Sequence, residues 1–453
     1  MSNPNLTERD FGAGSEASGP VRSSADLLRI ATAGSVDDGK STLVGRLLYD
    51  TKSVLADQID AVTKASVDRG MDTPDLSLLV DGLRAEREQG ITIDVAYRYF
   101  ATPARSFVLA DTPGHVQYTR NTVSGASTAQ LVILLVDARN GVVAQTRRHA
   151  AVMALLGVPR LVLAVNKIDL VDNPAEVFAT VSREFNEITA ALGYAPDQVQ
   201  EIPVSALHGD NVAIRSENTP YYDGPTLIEH LETVPNQLDR GDVGLRFPVQ
   251  YVIRPRTAEY PDYRGYAGLV SAGTVSVGDE VVVQPSGQRT TIAKIDTPDG
   301  ELETAHAGRS VTLLLTDDID ISRGDLIASA SDAPEPAQQF TTTVCWLAEK
   351  PLRPGARLLL KHGAKTTQAI VGALDALFDE QELSLVDTPE SLELNQIGRV
   401  SLQTAEPIAA DDYSVDRDSG SFLLIDPQGG NTLGAGLVGD ALESLKLSAP
   451  ALV

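Results

Sequence analysis

A lysine and a serine closing a glycine-bounded stretch are the first residues in this chain able to do chemistry. Gly34-Ser35-Val36-Asp37-Asp38-Gly39-Lys40-Ser41 satisfies every fixed position of the pattern G-x-x-x-x-G-K-[ST]. Glycines let a backbone curl round an anion so that successive N–H groups point inward. Lys40 is then placed to reach the β/γ-phosphates of a nucleotide and Ser41 to hold Mg²⁺ through its hydroxyl, with Thr42 completing the phosphate-binding segment. Asp37 and Asp38 are unexpected in such a loop, because carboxylates facing a triphosphate would repel it. Their side chains are expected to turn away, onto nearby backbone N–H groups or a switch.

Three further segments say which nucleotide. Asn166-Lys167-Ile168-Asp169 follows the apolar run Leu161 to Val165, and so stands at the C-terminal end of a buried strand, where open α/β sheets bind ligands. A carboxylate at Asp169 accepts two hydrogen bonds from the N1–H and 2-amino groups of guanine; adenine offers neither in that arrangement. Ser205-Ala206-Leu207 follows a short strand, Glu201 to Val204, and is placed to bring a backbone N–H to the guanine O6. Asp111-Thr112-Pro113-Gly114-His115 follows Phe107 to Ala110. Asp111 would anchor Mg²⁺ through a water, the Gly114 N–H would sense the γ-phosphate, and His115 would reach the attacking water. In Gln89-Gly90-Ile91-Thr92-Ile93, Thr92 is placed to bind Mg²⁺ and the γ-phosphate, an order–disorder switch released when that phosphate is lost. Together these elements specify a GTPase with GTP and Mg²⁺ as its ligands.

The elements that must position these residues are legible from periodicity. Leu27 to Ala33 reads as the strand entering the loop, and Ser41 to Tyr49 as the helix leaving it, with Leu43, Leu47 and Leu48 on one face. Leu131 to Val136 is a continuous apolar run, as expected of a strand buried on both faces. Ala144 to Leu156 and Pro174 to Leu192 read as covering helices, and Thr226 to Leu231 as the last helix before Pro235. Strands and helices alternate to about Thr233, the pattern of a mostly parallel, doubly wound sheet. After Asp239 short alternating strands appear between Gly, Pro and Asp turns, such as Phe247 to Ile253, Tyr266 to Ser271, Glu280 to Gln284 and Ser310 to Leu315. A second such region contains Arg357 to Lys361, Ile397 to Leu402 and Ser421 to Ile425. The expected organisation is a disordered tail (1–24), an α/β phosphate-loop GTPase domain (25–238), a first β-barrel (239–332), a linker (333–339) and a second β-barrel (340–453).

The wording of these stretches resembles the translational GTPases, and more closely one offshoot, the GTPase (large) subunit of bacterial sulfate adenylyltransferase. The resemblance is carried by the loop with Gly45-Arg46-Leu47-Leu48-Tyr49-Asp50-Thr51-Lys52, by Asp81 to Phe100, by Gln117-Tyr118-Thr119-Arg120-Asn121, and by Gln145-Thr146-Arg147-Arg148-His149. Elongation factors carry histidines where this loop has Ser35 and Asp38, and lack the Ala96-Tyr97-Arg98-Tyr99-Phe100 strand. The resemblance spans roughly residues 25 to 450 and implies a GTPase domain followed by two barrels. It implies that His115 orients the hydrolytic water. It also implies a smaller catalytic partner subunit that binds ATP and sulfate, with GTP hydrolysis driving the uphill synthesis of adenylylsulfate and pyrophosphate. Some relatives carry a fused adenylylsulfate kinase; no second phosphate loop occurs in these residues, so that activity is not expected of them. The alternative is an elongation-factor-like GTPase that binds tRNA and the ribosome.

Composition bears on the alternative. The net charge of −25 suits nucleic acid poorly, since such binding leans on Lys and Arg neutralising phosphates. One cysteine, Cys345, excludes an internal disulfide and reads as a small hydrophobe beside Trp346. With no long apolar run and a polar N-terminal tail, the expectation is a soluble cytoplasmic protein. Of the other histidines, His149 is read as structural or interfacial, and His208, His230, His306 and His362 show no metal spacing. Arg84 to Glu88 reads as a solvated helix end, Tyr260 to Tyr266 as a hairpin loop, and Gly429-Gly430-Asn431 as a hairpin turn.

Overall fold

The computed structural model describes residues 27–68, 70, 74–80, 95–114, 119–236, 243–255, 257, 262–379 and 383–445. Thr92, His115, the 89–93 switch segment, the 84–88 charge run and the 1–24 tail lie outside the described residues.

The first domain is built on strands β1 (Leu27–Gly34), β2 (Ala96–Ala101), β3 (Ser106–Asp111), β4 (Leu131–Asp137), β5 (Leu161–Asn166) and β6 (Val199–Pro203), ordered β2-β3-β1-β4-β5-β6. Only edge strand β2 runs antiparallel to its neighbour; the remaining pairings are parallel. The helices are α1 (Lys40–Asp50), α2 (Ala56–Asp68), α3 (Thr119–Ala126), α4 (Ala144–Leu155), α5 (Pro174–Ala191) and α6 (Leu227–Thr233). Strand alternation sorts the core onto two faces. Val132, Leu134 and Val136 of β4 pack with α4 residues Ala150 to Leu155 and with Val181, Phe185 and Ile188 of α5. Leu131, Ile133 and Leu135 pack with Leu43, Val44, Leu47 and Leu48 of α1 and Leu227 and Leu231 of α6. Every residue of β4 is buried, which is why its sequence shows no alternation of polarity.

Nine strands form the next unit: β7 (Arg246–Ile253), β8 (Gly265–Leu269), β9 (Thr274–Ser276), β10 (Glu280–Gln284), β11 (Gln288–Thr297), β12 (Gly300–Leu302), β13 (Thr304–His306), β14 (Ser310–Leu315) and β15 (Leu326–Ser329). Six close on themselves in the order β10-β15-β7-β8-β14-β11, the β10–β11 pairing sealing an antiparallel barrel. The second barrel uses β16 (Pro336–Trp346), β17 (Arg357–His362), β18 (Lys365–Asp379), β19 (Ser384–Asp387), β20 (Ile397–Ala409), β21 (Ser421–Ile425) and β22 (Thr432–Val438), followed by α7 (Ala441–Ser444). Its closed order is β17-β21-β22-β16-β20-β18, sealed by β17 against β18. Strand β16 starts inside the segment expected to be a linker: Pro336 already pairs with Ala409. A proline at the first residue of a strand leaves no ladder donor missing, so its presence does not mark a loop.

The second barrel shares a core with the GTPase domain. Phe378, Ile397, Leu442 and Leu445 join the apolar face beneath α3, α4 and α5. Cys345 packs partly buried against the same face, beside the buried Trp346, in the role expected for it. Polar contacts frame this junction: Tyr413 Oη donates to the Leu156 carbonyl at 2.8 Å and Arg148 Nη2 to the Asn395 carbonyl at 3.0 Å. Tyr260 and Pro261 lie outside the described residues, and the rest of that aromatic cluster turns inward: Tyr263 donates to Asp296 and Tyr266 to the Ile319 carbonyl, both at 3.0 Å.

Candidate nucleotide-binding site

The expected site residues that are described gather at the C-terminal ends of β1, β3, β5 and β6, where the parallel strands deliver their following loops to one edge of the sheet. β1 ends at Gly34, the loop turns through Asp37 at φ 64° and Gly39 at φ 94°, and α1 starts at Lys40. Gly39 is required twice over. Its left-handed backbone disfavours a side chain, and a Cβ there would lie 2.4 Å from Asn166 Nδ2.

Lys40 is buried, and its Nζ donates to the carbonyls of Gly34 at 2.8 Å and Ser35 at 2.7 Å. Burial pushes its ammonium below the usual lysine range, while Asp111, Asp38 and Asp37 pull it back up. The loop is thus curled round its own lysine. Asp38 turns away from the anion space, as expected: its Oδ2 accepts the Ser35 N–H at 2.6 Å. Burial pushes the Asp38 carboxyl up, against the pull of that bond and of Lys40. The Ser35 hydroxyl is buried with no partner among the described residues. Asp37 is exposed, with its carbonyl accepting from Lys167 Nζ.

Asp111 ends β3, fully buried, with Oδ1 accepting from the Thr32 hydroxyl at 2.7 Å; Thr112 donates to the Thr32 carbonyl at 2.6 Å. The turn through Pro113 brings Gly114 onto the phosphate loop so closely that a Cβ would sit 2.4 Å from Lys40 Nζ and 2.7 Å from the Gly34 carbonyl. Gly114 therefore tolerates no side chain. Gln145 Nε2 approaches the Gly114 carbonyl at 3.5 Å and contacts His149 Nε2 at 2.9 Å. His149 is buried on α4 and pushed down to about 3 by burial, then by Lys40 and Arg148. That placement is the structural role expected for it.

Among the loops that follow β5 and β6 Asn166 is the hub. Its Nδ2 donates to the Asp38 carbonyl at 2.7 Å and its Oδ1 accepts the Ala206 N–H at 2.9 Å. One side chain thus joins the phosphate loop to the Ser205-Ala206-Leu207 segment. Asp169 Oδ2 lies 3.7 Å from His208 Nε2, partly exposed at the rim, and Ser205 is buried beneath it, its hydroxyl accepting the His208 N–H at 3.3 Å. Lys167 adopts φ 59° and its Nζ reaches Asp137 Oδ2 at 3.0 Å; Arg139 grips the same carboxylate at 2.6 Å and 3.0 Å. Burial alone would raise the Asp137 carboxyl, but the bonds from Arg139 and Lys167 win and hold it at about 2. Sequence reasoning missed this pair. Their signal is a charged couple, Asp137 and Arg139, at the end of the most apolar strand in the chain, on the same sheet edge as the other site loops.

The residues described fit a nucleoside triphosphate with a divalent cation. The cradle has no room for a Cβ at Gly39 or Gly114, Lys40 stands inside it, and Ser41 and Asp111 carry oxygens of the kind that Mg²⁺ favours. Among the described residues no cluster of His, Cys, Asp and Glu forms a separate metal centre.

Comparisons with known proteins show the family. Residues 25–240 match the elongation factor Tu GTP binding domain, and residues 339–439 match the GTP-eEF1A C-terminal domain-like family. The chain is 47% identical over 419 residues to "Sulfate adenylyltransferase subunit 1" of Alteromonas mediterranea, spanning 92% of this chain and 88% of that protein. The chain belongs to the sulfate adenylyltransferase subunit 1 family. It is also 54% identical to "Bifunctional enzyme CysN/CysC" of Mycobacterium tuberculosis, over 91% of this chain and 67% of that protein. A solved structure of sup35 complexed with GDP aligns at 22% identity and a TM-score of 0.41, over 91% of this chain and 93% of that one. Membership in the subunit 1 family accounts for the GTPase domain and for the two barrels that follow it. No described helix is long and apolar enough to cross a membrane.

Proposed function

We propose that this chain is the GTP-hydrolysing regulatory subunit of a heteromeric sulfate adenylyltransferase, acting in the cytoplasm. It couples GTP hydrolysis to the formation of adenylylsulfate and pyrophosphate from ATP and sulfate. The observation that carries this reading is the Asn166 bridge, which joins the phosphate loop to the guanine-reading segment in a chain so similar to subunit 1 proteins. The translation-factor alternative extends only as far as the shared superfamily.

In this reading Lys40 gives up its loop carbonyls for the β/γ-phosphates, a contact charged on both sides and so stronger than the ammonium–carbonyl bonds it replaces. Ser41 and Asp111, with Thr92, would hold Mg²⁺, which would supply positive charge to offset that of the phosphates. The N–H of Gly114 meets the γ-phosphate and His115 orients the water. Asp169 selects guanine. ATP and sulfate are handled by a smaller catalytic partner, since this sequence holds one nucleotide motif set. A γ-phosphate sensor matters only if its two states present different surfaces to something else.

The test is to follow pyrophosphate and GDP release from the chain alone and from the chain mixed with its partner. Little adenylylsulfate is expected from the chain alone, and GTP-stimulated synthesis from the pair, with ATP and sulfate accelerating GTP hydrolysis. Thr92→Ala should uncouple the two while sparing most GTP binding. Equal accumulation of adenylylsulfate without GTP removes the coupling role. His115→Ala should bind GTP almost normally and hydrolyse it at least about tenfold more slowly, a floor below the roughly 10²–10⁴-fold that a positioned acid or base contributes.

A further inference from the structure

Arg46 projects from α1 toward the base side of the site. Its Nε donates to the Ala206 carbonyl at 3.2 Å and its Nη2 to the Leu207 carbonyl, 160 and 161 residues away in sequence. The guanidinium is itself held: Nη1 lies 3.5 Å from Asp50 Oδ1, and the group sits 5.6 Å from the Tyr49 ring centroid. With 17% of its side chain exposed, Arg46 is screened from water on most of its surface. From the other side Asn166 holds the Ala206 N–H, and Gly209 donates to the Ser205 carbonyl at 2.7 Å. The carbonyls of Ser205, Ala206 and Leu207 and the N–H of Ala206 are therefore all engaged. The Leu207 N–H has no partner among the described residues. In a trans peptide the C=O and the following N–H point in opposite directions. Drawing the Ala206 carbonyl toward Arg46 thus turns the Leu207 N–H away from α1. A cation on that carbonyl also polarises the peptide, which makes the N–H a stronger donor.

We propose that Arg46 is a positioning residue for guanine recognition: it fixes and polarises the 206–207 peptide so that the Leu207 N–H meets the guanine O6. Because α1 begins at Lys40, the same residue ties the base-reading segment to the helix that leaves the phosphate loop. This rests on the reading of 205–207 as the O6-binding segment.

The test uses the full chain, GDP with two analogues that each differ from it by one group, and ADP. GDP, 6-thioguanosine diphosphate (a weaker acceptor at position 6) and inosine diphosphate (no 2-amino group) are competed against a fluorescent GDP. Arg46→Met is expected to weaken GDP roughly tenfold, about the worth of one well-placed hydrogen bond to a buried acceptor. The preference for GDP over the 6-thio analogue should shrink toward one, while the preference for GDP over inosine diphosphate, read by Asp169, should stay as in the wild type. Arg46→Lys, which keeps the charge but not the fork, should fall between. A uniform loss for all three nucleotides, or an undiminished 6-thio preference in the Met variant, overturns the proposal. A wild type that ignores the 6-thio change while still preferring GDP to ADP overturns the O6 reading of 205–207, and the proposal with it. A wild type that binds ADP as well as GDP instead sinks the GTPase reading itself.

Discussion

At Asp137, burial and hydrogen bonding pull in opposite directions. The carboxylate ends at about 2 because Arg139 and Lys167 both donate to it. It holds Lys167 in a left-handed conformation that brings Nζ to the Asp37 carbonyl. Asp169, which we propose selects the base, lies beyond this brace, two positions on from Lys167. Asp169→Asn replaces an acceptor by a group that also donates, which suits the extra oxygen of xanthine. The variant should lose GTP affinity and gain affinity for xanthosine triphosphate; retention of the wild-type order, read by competitive binding, would remove Asp169 from base recognition. Lys40→Ala should lose most triphosphate affinity, since a charge-assisted contact disappears. Unchanged GTP binding by titration calorimetry would exclude Lys40 from the phosphate site.

Helices α1 and α4 are the elements that bring the site together. Gly45 of α1 lies against the 76–79 turn so closely that a Cβ would sit 2.1 Å from the Leu76 carbonyl. Gly45→Ala should force α1 outward and cost about 1–3 kcal/mol, measured by urea denaturation; a cost near zero would mean the turn yields freely. In α4, His149 is neutral in the folded chain down to about 3, whereas the unfolded chain takes up that proton near 6.5. His230 of α6 behaves alike, lowered to about 4 by burial and Arg160. Below pH 6.5 the unfolded state therefore binds more protons, and stability falls on acidification. Each group contributes at most about 1.4 kcal/mol per pH unit. Asp137 adds to the same trend only below its unfolded value of 3.8. The pH dependence of unfolding between about pH 7 and pH 5 should be shallower by about one proton in His149→Gln; an identical slope would place the ring in contact with solvent.

Across the whole molecule the two barrels are joined by a buried ion pair. Arg246 Nε and Nη2 each meet an Asp411 oxygen at 2.9 Å; Ser419 donates to the same carboxylate at 2.6 Å, and the Asp332 carbonyl accepts from Arg246 at 2.7 Å. Asp411 lies in the second barrel's loops and Arg246 opens the first barrel, so the pair spans the junction. Arg246→Met strands a buried carboxylate and should cost about 3–5 kcal/mol, whereas Arg246→Met with Asp411→Leu should recover much of it. Chemical denaturation of the full chain measures both, and a single-variant cost below about 1 kcal/mol would show that water already reaches the pair. The second barrel also shares the α3–α5 core, through Ile397 and Phe378.

The sequence by itself determined the GTPase family, because its motifs are local patterns: a glycine that here adopts φ 94°, a lysine beside it, a carboxylate after a buried strand. It also determined most elements: Glu280–Gln284, Ser310–Leu315 and Ser421–Ile425 lie where alternation placed them. The start of β16 at Pro336 was not legible, since Ala-Pro-Glu-Pro-Ala reads locally as a linker and only pairing with Ala409 makes it a strand. Tertiary structure alone decided the partners that lie far apart in the chain. Asn166 meets Asp38 across 128 residues, Arg46 meets Ala206 across 160, and Arg246 meets Asp411 across 165. No local propensity encodes such contacts; they exist because parallel strands deliver their loops to one edge and because closed barrels bury the charges between them.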